Sequence, residues 1–278
     1  MRERLSWQQQ CGEGVMAGVR FIFSILRKAA NKAGFDFVAS RKTKADGDYE
    51  LILSGASYAP WLSDHAFNET FKVIDGHTLV DKYKCYELWQ LVGETAKLNG
   101  GLIEVGVWRG GSGVLIAQKA KLSGMREQVY LCDTFRGVVK AGKKDSKYIN
   151  GEHADTSVEI VEKLAKDLRL DNVKIVAGIF PEETNGVITD KTFRFCHIDV
   201  DVYESAKDVL EWLWPKVVVG GVMVFDDYGF QGCNGVTRLI NEGRSRKDRI
   251  TIHNLNGHAI LIKVPEQPET GGHGSDGK

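Results

Sequence analysis

Gly101-Leu-Ile-Glu-Val-Gly-Val-Trp-Arg-Gly-Gly-Ser-Gly113 is the stretch on which the fold turns. It opens as a short apolar run, passes through Gly106, Gly110, Gly111 and Gly113, and gives way to a helical pattern over 114–122. Strand, glycine-rich loop and helix in that order bring backbone close to a ligand. Glycine turns tightly and leaves no Cβ where the ligand approaches, and the helix start offers free N–H groups to an anion such as a carboxylate. The spacing is not the GxGxxG of a dinucleotide site, and no Lys-Ser/Thr pair closes a P-loop. Glu104 would repel a pyrophosphate and attract an ammonium. A ligand with an amino-acid end and a nucleoside end suits this loop.

Outward from it, β-branched runs alternate with helical patterns, which predicts βαβ units and an α/β fold with a mostly parallel, Rossmann-like sheet. The expected strands are 101–106, 128–133, 173–177, 193–199, 222–226, 249–253 and 258–263. The last two are joined by Asn254-Leu-Asn-Gly257 and so form an antiparallel closing pair. Upstream, 64–74 and 79–98 read as helices. The organisation expected is a helical N-terminal extension over 1–98, a sheet domain over 99–264 and a disordered tail over 265–278.

Composition narrows the classes. Thirty-seven basic residues against 37 acidic ones give a net charge of zero, so the basic footprint of a dedicated nucleic-acid binder is missing. Five scattered cysteines without a CxxC pair fit a reducing compartment rather than a disulfide framework or structural zinc, and the expected address is cytoplasmic. No run is long enough to suggest a membrane span. The stretch Val19–Leu26 reads as an amphipathic helix for packing on the domain or on a partner subunit, which keeps a homo-oligomer open.

Two groups of residues carry chemistry. Asp133 ends the second strand, where an acidic residue can accept hydrogen bonds from ribose hydroxyls. Gly178 and Phe180, just past the third strand, would form a wall near an adenine. The second group is Asp199-Val-Asp201 with Asp226-Asp227, at the ends of two neighbouring strands. Carboxylates converging on one sheet edge repel one another unless a hard divalent cation such as magnesium neutralises them. Asp199, Asp226 and Asp227 are the expected ligands. Asp201 could instead be the N-cap of the helix after it. His197 reads as a buried structural residue.

Glu104-Val-Gly-Val-Trp-Arg-Gly-Gly-Ser112, Asp133-Thr-Phe-Arg-Gly137, Asp199-Val-Asp-Val-Tyr-Glu-Ser205 and Gly220-Gly-Val-Met-Val-Phe-Asp-Asp-Tyr-Gly229 with Gly232–Val236, in that order, resemble the macrocin O-methyltransferase family. Asp81–Trp89 extends the similarity upstream, to about residues 60–264. The resemblance implies a class I methyltransferase fold and an enzyme that uses S-adenosyl-L-methionine and Mg2+ to methylate a hydroxyl of a sugar-containing small molecule. It implies that Glu104, Gly106 and Ser112 surround the methionine part of the cofactor and that Asp133 holds the ribose. It also implies that Asp199, Asp226 and Asp227 bind the metal, with Asp199 or Asp201 as proton acceptor. Residues 1–60 match no motif and would help shape the acceptor pocket. The loop 138–147 is more basic than the resemblance leads one to expect, which raises an acidic or phosphorylated glycan as acceptor. A catechol-type O-methyltransferase and a non-catalytic cofactor-binding subunit are the competing readings.

Overall fold

The structure, a computed structural model, describes residues 23–26, 28–30, 32–33, 48–49, 52 and 56–265. The chain divides into two units, 1–53 and 54–278. The helix expected over 19–26 falls partly outside the described residues, and the expected tail does so from 266 onward.

In the second unit, α1 (His65–Ile74) and α2 (Lys82–Thr95) precede the sheet. Each starts on an aspartate whose side chain accepts backbone N–H bonds, Asp64 from Phe67 and Asp81 from Tyr83 and Lys84. Then β1 (Gly101–Val105), α3 (Gly111–Leu122), β2 (Val129–Asp133), α4 (Val158–Asp167), β3 (Val173–Ala177), β4 (Phe193–Ile198), α5 (Tyr203–Leu213), β5 (Val217–Phe225), α6 (Asn234–Glu242), β6 (Arg249–Asn254) and β7 (His258–Lys263) follow. The sheet has seven strands in the order β3-β2-β1-β4-β5-β7-β6. β7 runs antiparallel between β5 and β6, and the other pairings are parallel.

Strand residues alternate between two cores, as the two-residue period requires. Leu102, Leu131, Val224 and Ile260 join α1 to α4 on one face. Ile103, Cys132, Met223 and Leu261 join α5 and α6 on the other. The result is a three-layer sandwich of the class I methyltransferase type. The strand order reverses between β1 and β4, and ligands of open α/β sheets bind at that crevice, outside the carboxyl ends of the strands.

Three elements differ most from expectation. α2 runs over Lys82–Thr95 rather than 79–98, because Asp81 caps its start. α3 begins at Gly111 rather than 114, because Gly110 takes the N-cap in a left-handed conformation (φ 89°). β5 begins at Val217, five residues early, because Gly220 and Gly221 sit in an irregularity that shifts the register with β4 rather than in a turn before the strand. Among the described residues no helix is long and apolar enough to cross a membrane.

Candidate active site

The glycine-rich loop leaves β1 at Gly106, where the backbone passes so close to β4 that a Cβ would lie 1.7 Å from the Asp199 carbonyl oxygen. At Gly113 a Cβ would lie 2.3 Å from Glu104 Oε2. Both positions therefore need glycine. Asp133 faces the loop from β2 and holds it: its Oδ2 accepts from Val107 N at 2.7 Å and Trp108 N at 2.8 Å, and its Oδ1 from Phe135 N at 2.7 Å. A carboxylate has about four acceptor directions, so Oδ1 keeps one for a further donor. The Gly178 N–H donates to the Asp133 carbonyl at 2.9 Å, which places Gly178 beside it. Phe180 is not brought to the loop in the same way. Its ring is buried and packs edge-on against Trp212 of α5, centroids 5.1 Å apart. Ser112 is buried in the first turn of α3, and Glu104 lies fully buried beneath the loop.

At the ends of β4 and β5, oxygens of Asp199, Asp226 and Asp227 lie within 4.8 Å of one another. Burial and the neighbouring carboxylates of Asp226, Asp227 and Asp201 push the Asp199 carboxyl well above its usual range. Asp227 is raised likewise, by burial and by Asp201 and Asp226. Asp226 goes the other way. Burial opposes its charge, yet Lys84, His197 and His258 overcome that and hold it well below. An all-oxygen donor set under mutual repulsion fits a hard divalent cation, so these three residues could hold one.

Asp201 is not the N-cap of α5. Val202 holds that place, and the free Tyr203 N–H donates to Asp145 Oδ1 of the 134–157 connection at 2.9 Å. Asp201 itself adopts φ 64° and its N–H donates to Asp227 Oδ2 at 2.8 Å. This bend turns Asp201 alongside the cluster, with Tyr148 as a side-chain partner, and burial pushes its carboxyl up to about 6. Lys140 pairs with Glu182 and Asp208, and Lys144 pairs with Glu204 over the Tyr203 ring. These pairings neutralise two of the four lysines of the basic loop.

Several residues around the cluster were not anticipated as site residues. Lys84 Nζ lies 2.6 Å from Asp226 Oδ2. His258 Nε2 lies 2.9 Å from Asp226 Oδ1, and its Nδ1 pairs with Glu87. His197, read only as a structural residue, has Nδ1 2.7 Å from Glu104 Oε1 and Nε2 3.6 Å from Asp226 Oδ1, so one imidazole stands between the cofactor loop and the acidic cluster. The Asp226 and Glu104 carboxylates outweigh burial and push His197 up to about 9. Lys84 alone left a trace in the sequence. It lies on the same helical stripe as Leu88 and Val92, where a charge is out of place unless paired.

Comparison with known proteins shows the family and the fold. The family model described as Macrocin-O-methyltransferase (TylF) matches residues 73–255. The chain is 31% identical over 145 residues to 8-demethyl-8-(2,3-dimethoxy-alpha-L-rhamnosyl)-tetracenomycin-C 4'-O-methyltransferase of Streptomyces olivaceus, covering 48% of this chain and 55% of that protein. It therefore spans little more than half the length of that relative. It is 28% identical over 186 residues to demethyldecarbamoylnovobiocin O-methyltransferase of Streptomyces niveus, covering 63% and 70% respectively. The solved structure of the O-methyltransferase NovP superposes with a TM-score of 0.63 at 22% identity, over 72% of this chain and 98% of that one.

Proposed function

The chain belongs to the macrocin-O-methyltransferase family, and from that premise we propose that it transfers a methyl group from S-adenosyl-L-methionine to a sugar hydroxyl of a glycosylated small molecule, with Mg2+ at the carboxylate cluster. The convergence of Asp199, Asp226 and Asp227 at the carboxyl edge, one loop away from the glycine-rich turn, carries the reading. The relative named for 4'-O-methylation of a rhamnosyl-tetracenomycin supports a glycosylated acceptor.

Gly106 and Gly113 let the loop pack tightly on Asp199 and Glu104, Asp133 fixes the loop and offers its remaining acceptor direction to a ribose hydroxyl, and Gly178 stands beside it. A divalent cation held by Asp199, Asp226 and Asp227 would lower the pKa of an acceptor hydroxyl, which is otherwise a poor nucleophile at neutral pH. Asp201 is the proton acceptor in this reading. It stands beside the cluster rather than among the three expected ligands, and a carboxyl raised to about 6 is closer to working pH than an ordinary aspartate. Asp199 serves as ligand. The remaining work is alignment of oxygen, methyl and sulfur. We place the enzyme in the cytoplasm, where the buried free thiols Cys85, Cys132, Cys196 and Cys233 stay reduced.

Labelled-methyl transfer to glycosides, assayed with chelator and then with Mg2+, tests the reading. Turnover is expected to vanish and return while S-adenosylhomocysteine binding persists. Full turnover after exhaustive chelation rejects the metal, and transfer to catechols alone rejects the sugar.

A further inference from the structure

Asp226 is spoken for before any cation arrives. Its Oδ2 receives the Lys84 ammonium at 2.6 Å and its Oδ1 the His258 imidazole at 2.9 Å. The Lys84 side chain is 6% exposed, so little water screens the pair. Lys84 comes from α2, outside the strands that carry the carboxylates, and its ammonium lies 4.6 Å from the centroid of the Phe230 ring, at the exposed rim of the cluster.

We propose that Lys84 is a positioning residue, the resident counter-charge of the carboxylate cluster, with which a divalent cation competes for Asp226. This rests on the reading of Asp199, Asp226 and Asp227 as cation ligands. Three carboxylates crowded at one edge would repel one another; one ammonium among them relieves part of that repulsion and keeps the cluster compact without metal. A dication entering the cluster meets a like charge against one of its ligands, and like charges at such separations in a buried site oppose each other strongly. Either the ammonium yields Oδ2, with the Phe230 face as its remaining partner, or the cation binds with Asp226 only partly available. In both cases Lys84 lowers metal affinity and sets it by charge rather than by packing.

Mn2+ binding to the full chain, followed by electron paramagnetic resonance and by the metal-induced rise in Tm, tests this in the wild type, in Lys84→Met and in Lys84→Gln. The methionine variant keeps the bulk of the stem, and the glutamine variant also keeps a donor for Asp226, so the second decides the matter if the first fails to fold. The expected result is Mn2+ binding at least about tenfold tighter in the variants, with a larger metal-induced rise in Tm than in the wild type. A purely structural lysine would instead give weaker binding on removal. Equal or weaker Mn2+ affinity in the folded variants overturns the role of Lys84 and leaves the metal site standing. Absence of Mn2+ binding in all three proteins overturns the cation reading itself, and the role of Lys84 with it.

Discussion

Asp199 and Asp201 stand two positions apart and are separated by one backbone feature, the left-handed conformation at Asp201 that turns its N–H onto Asp227. In the proposed division of labour, Asp199→Asn lowers metal affinity together with turnover. Asp201→Asn keeps that backbone bond, leaves metal and cofactor binding intact and cuts turnover by about 10²-fold, the scale of a lost general base. Mn2+ titration beside single-turnover rates checks both; near-normal turnover in the two variants contradicts the assignment. Asp133→Ala removes two backbone bonds from the loop and one from Phe135, as well as the proposed ribose contact, so cofactor affinity is expected to fall by about 1–3 kcal/mol. Calorimetry showing unchanged affinity in the folded variant would sink it. The carboxylates were legible in the sequence because they end consecutive strands. Their partners were not. Lys84, Glu87 and His258 reach Asp226 or its neighbour from α2 and β7, across long stretches of chain that no local pattern spans.

Caps and edges decide the elements. Asp64 both caps α1 through Phe67 N and accepts Trp89 Nε1 of α2 at 3.0 Å. Asp64→Ala is therefore expected to cost about 1–2 kcal/mol, measured by urea unfolding, with loss at the upper end because a buried indole N–H loses its partner. Asp248 ties the start of β6 to Trp214, accepting from Trp214 Nε1 at 2.8 Å and from Arg249 Nε at 2.9 Å. Burial would raise its carboxyl, but these donors and the Arg249 charge hold it well below the usual range. The stability it contributes is complete above the unfolded carboxylate pKa of about 3.9 and is lost as pH falls toward the lower folded value. The Tm difference between wild type and Asp248→Asn should be steady at neutral pH and shrink below about pH 4. A difference that grows on acidification contradicts it. Most strands were readable to within a residue from β-branched runs, and β3 and β7 fall on their expected bounds. The start of β5 was hidden because Gly220 and Gly221 carry the local signal of a turn, whereas pairing of Val217 and Val222 with β4 on either side of them keeps the strand continuous.

At the scale of the whole molecule, the sandwich places two sites side by side, the glycine-rich turn after β1 and the acidic edge of β4 and β5. The sheet order follows from alternating strands and helices, but the insertion of β7 between β5 and β6 is a tertiary outcome that adjacency in sequence does not specify. Acceptor choice is the least legible property, since two of the four lysines of the connection 134–157, Lys140 and Lys144, pair with Glu182, Asp208 and Glu204 of the protein itself. The account's central claim is a methyl group delivered to a sugar oxygen. The most direct measurement is mass spectrometry of the product formed from labelled S-adenosylmethionine and a panel of glycosylated natural products, each offered beside its aglycone. The account predicts the label in the sugar fragment, with no product from the aglycones. Label on a phenolic ring, or turnover of aglycones alone, would contradict it.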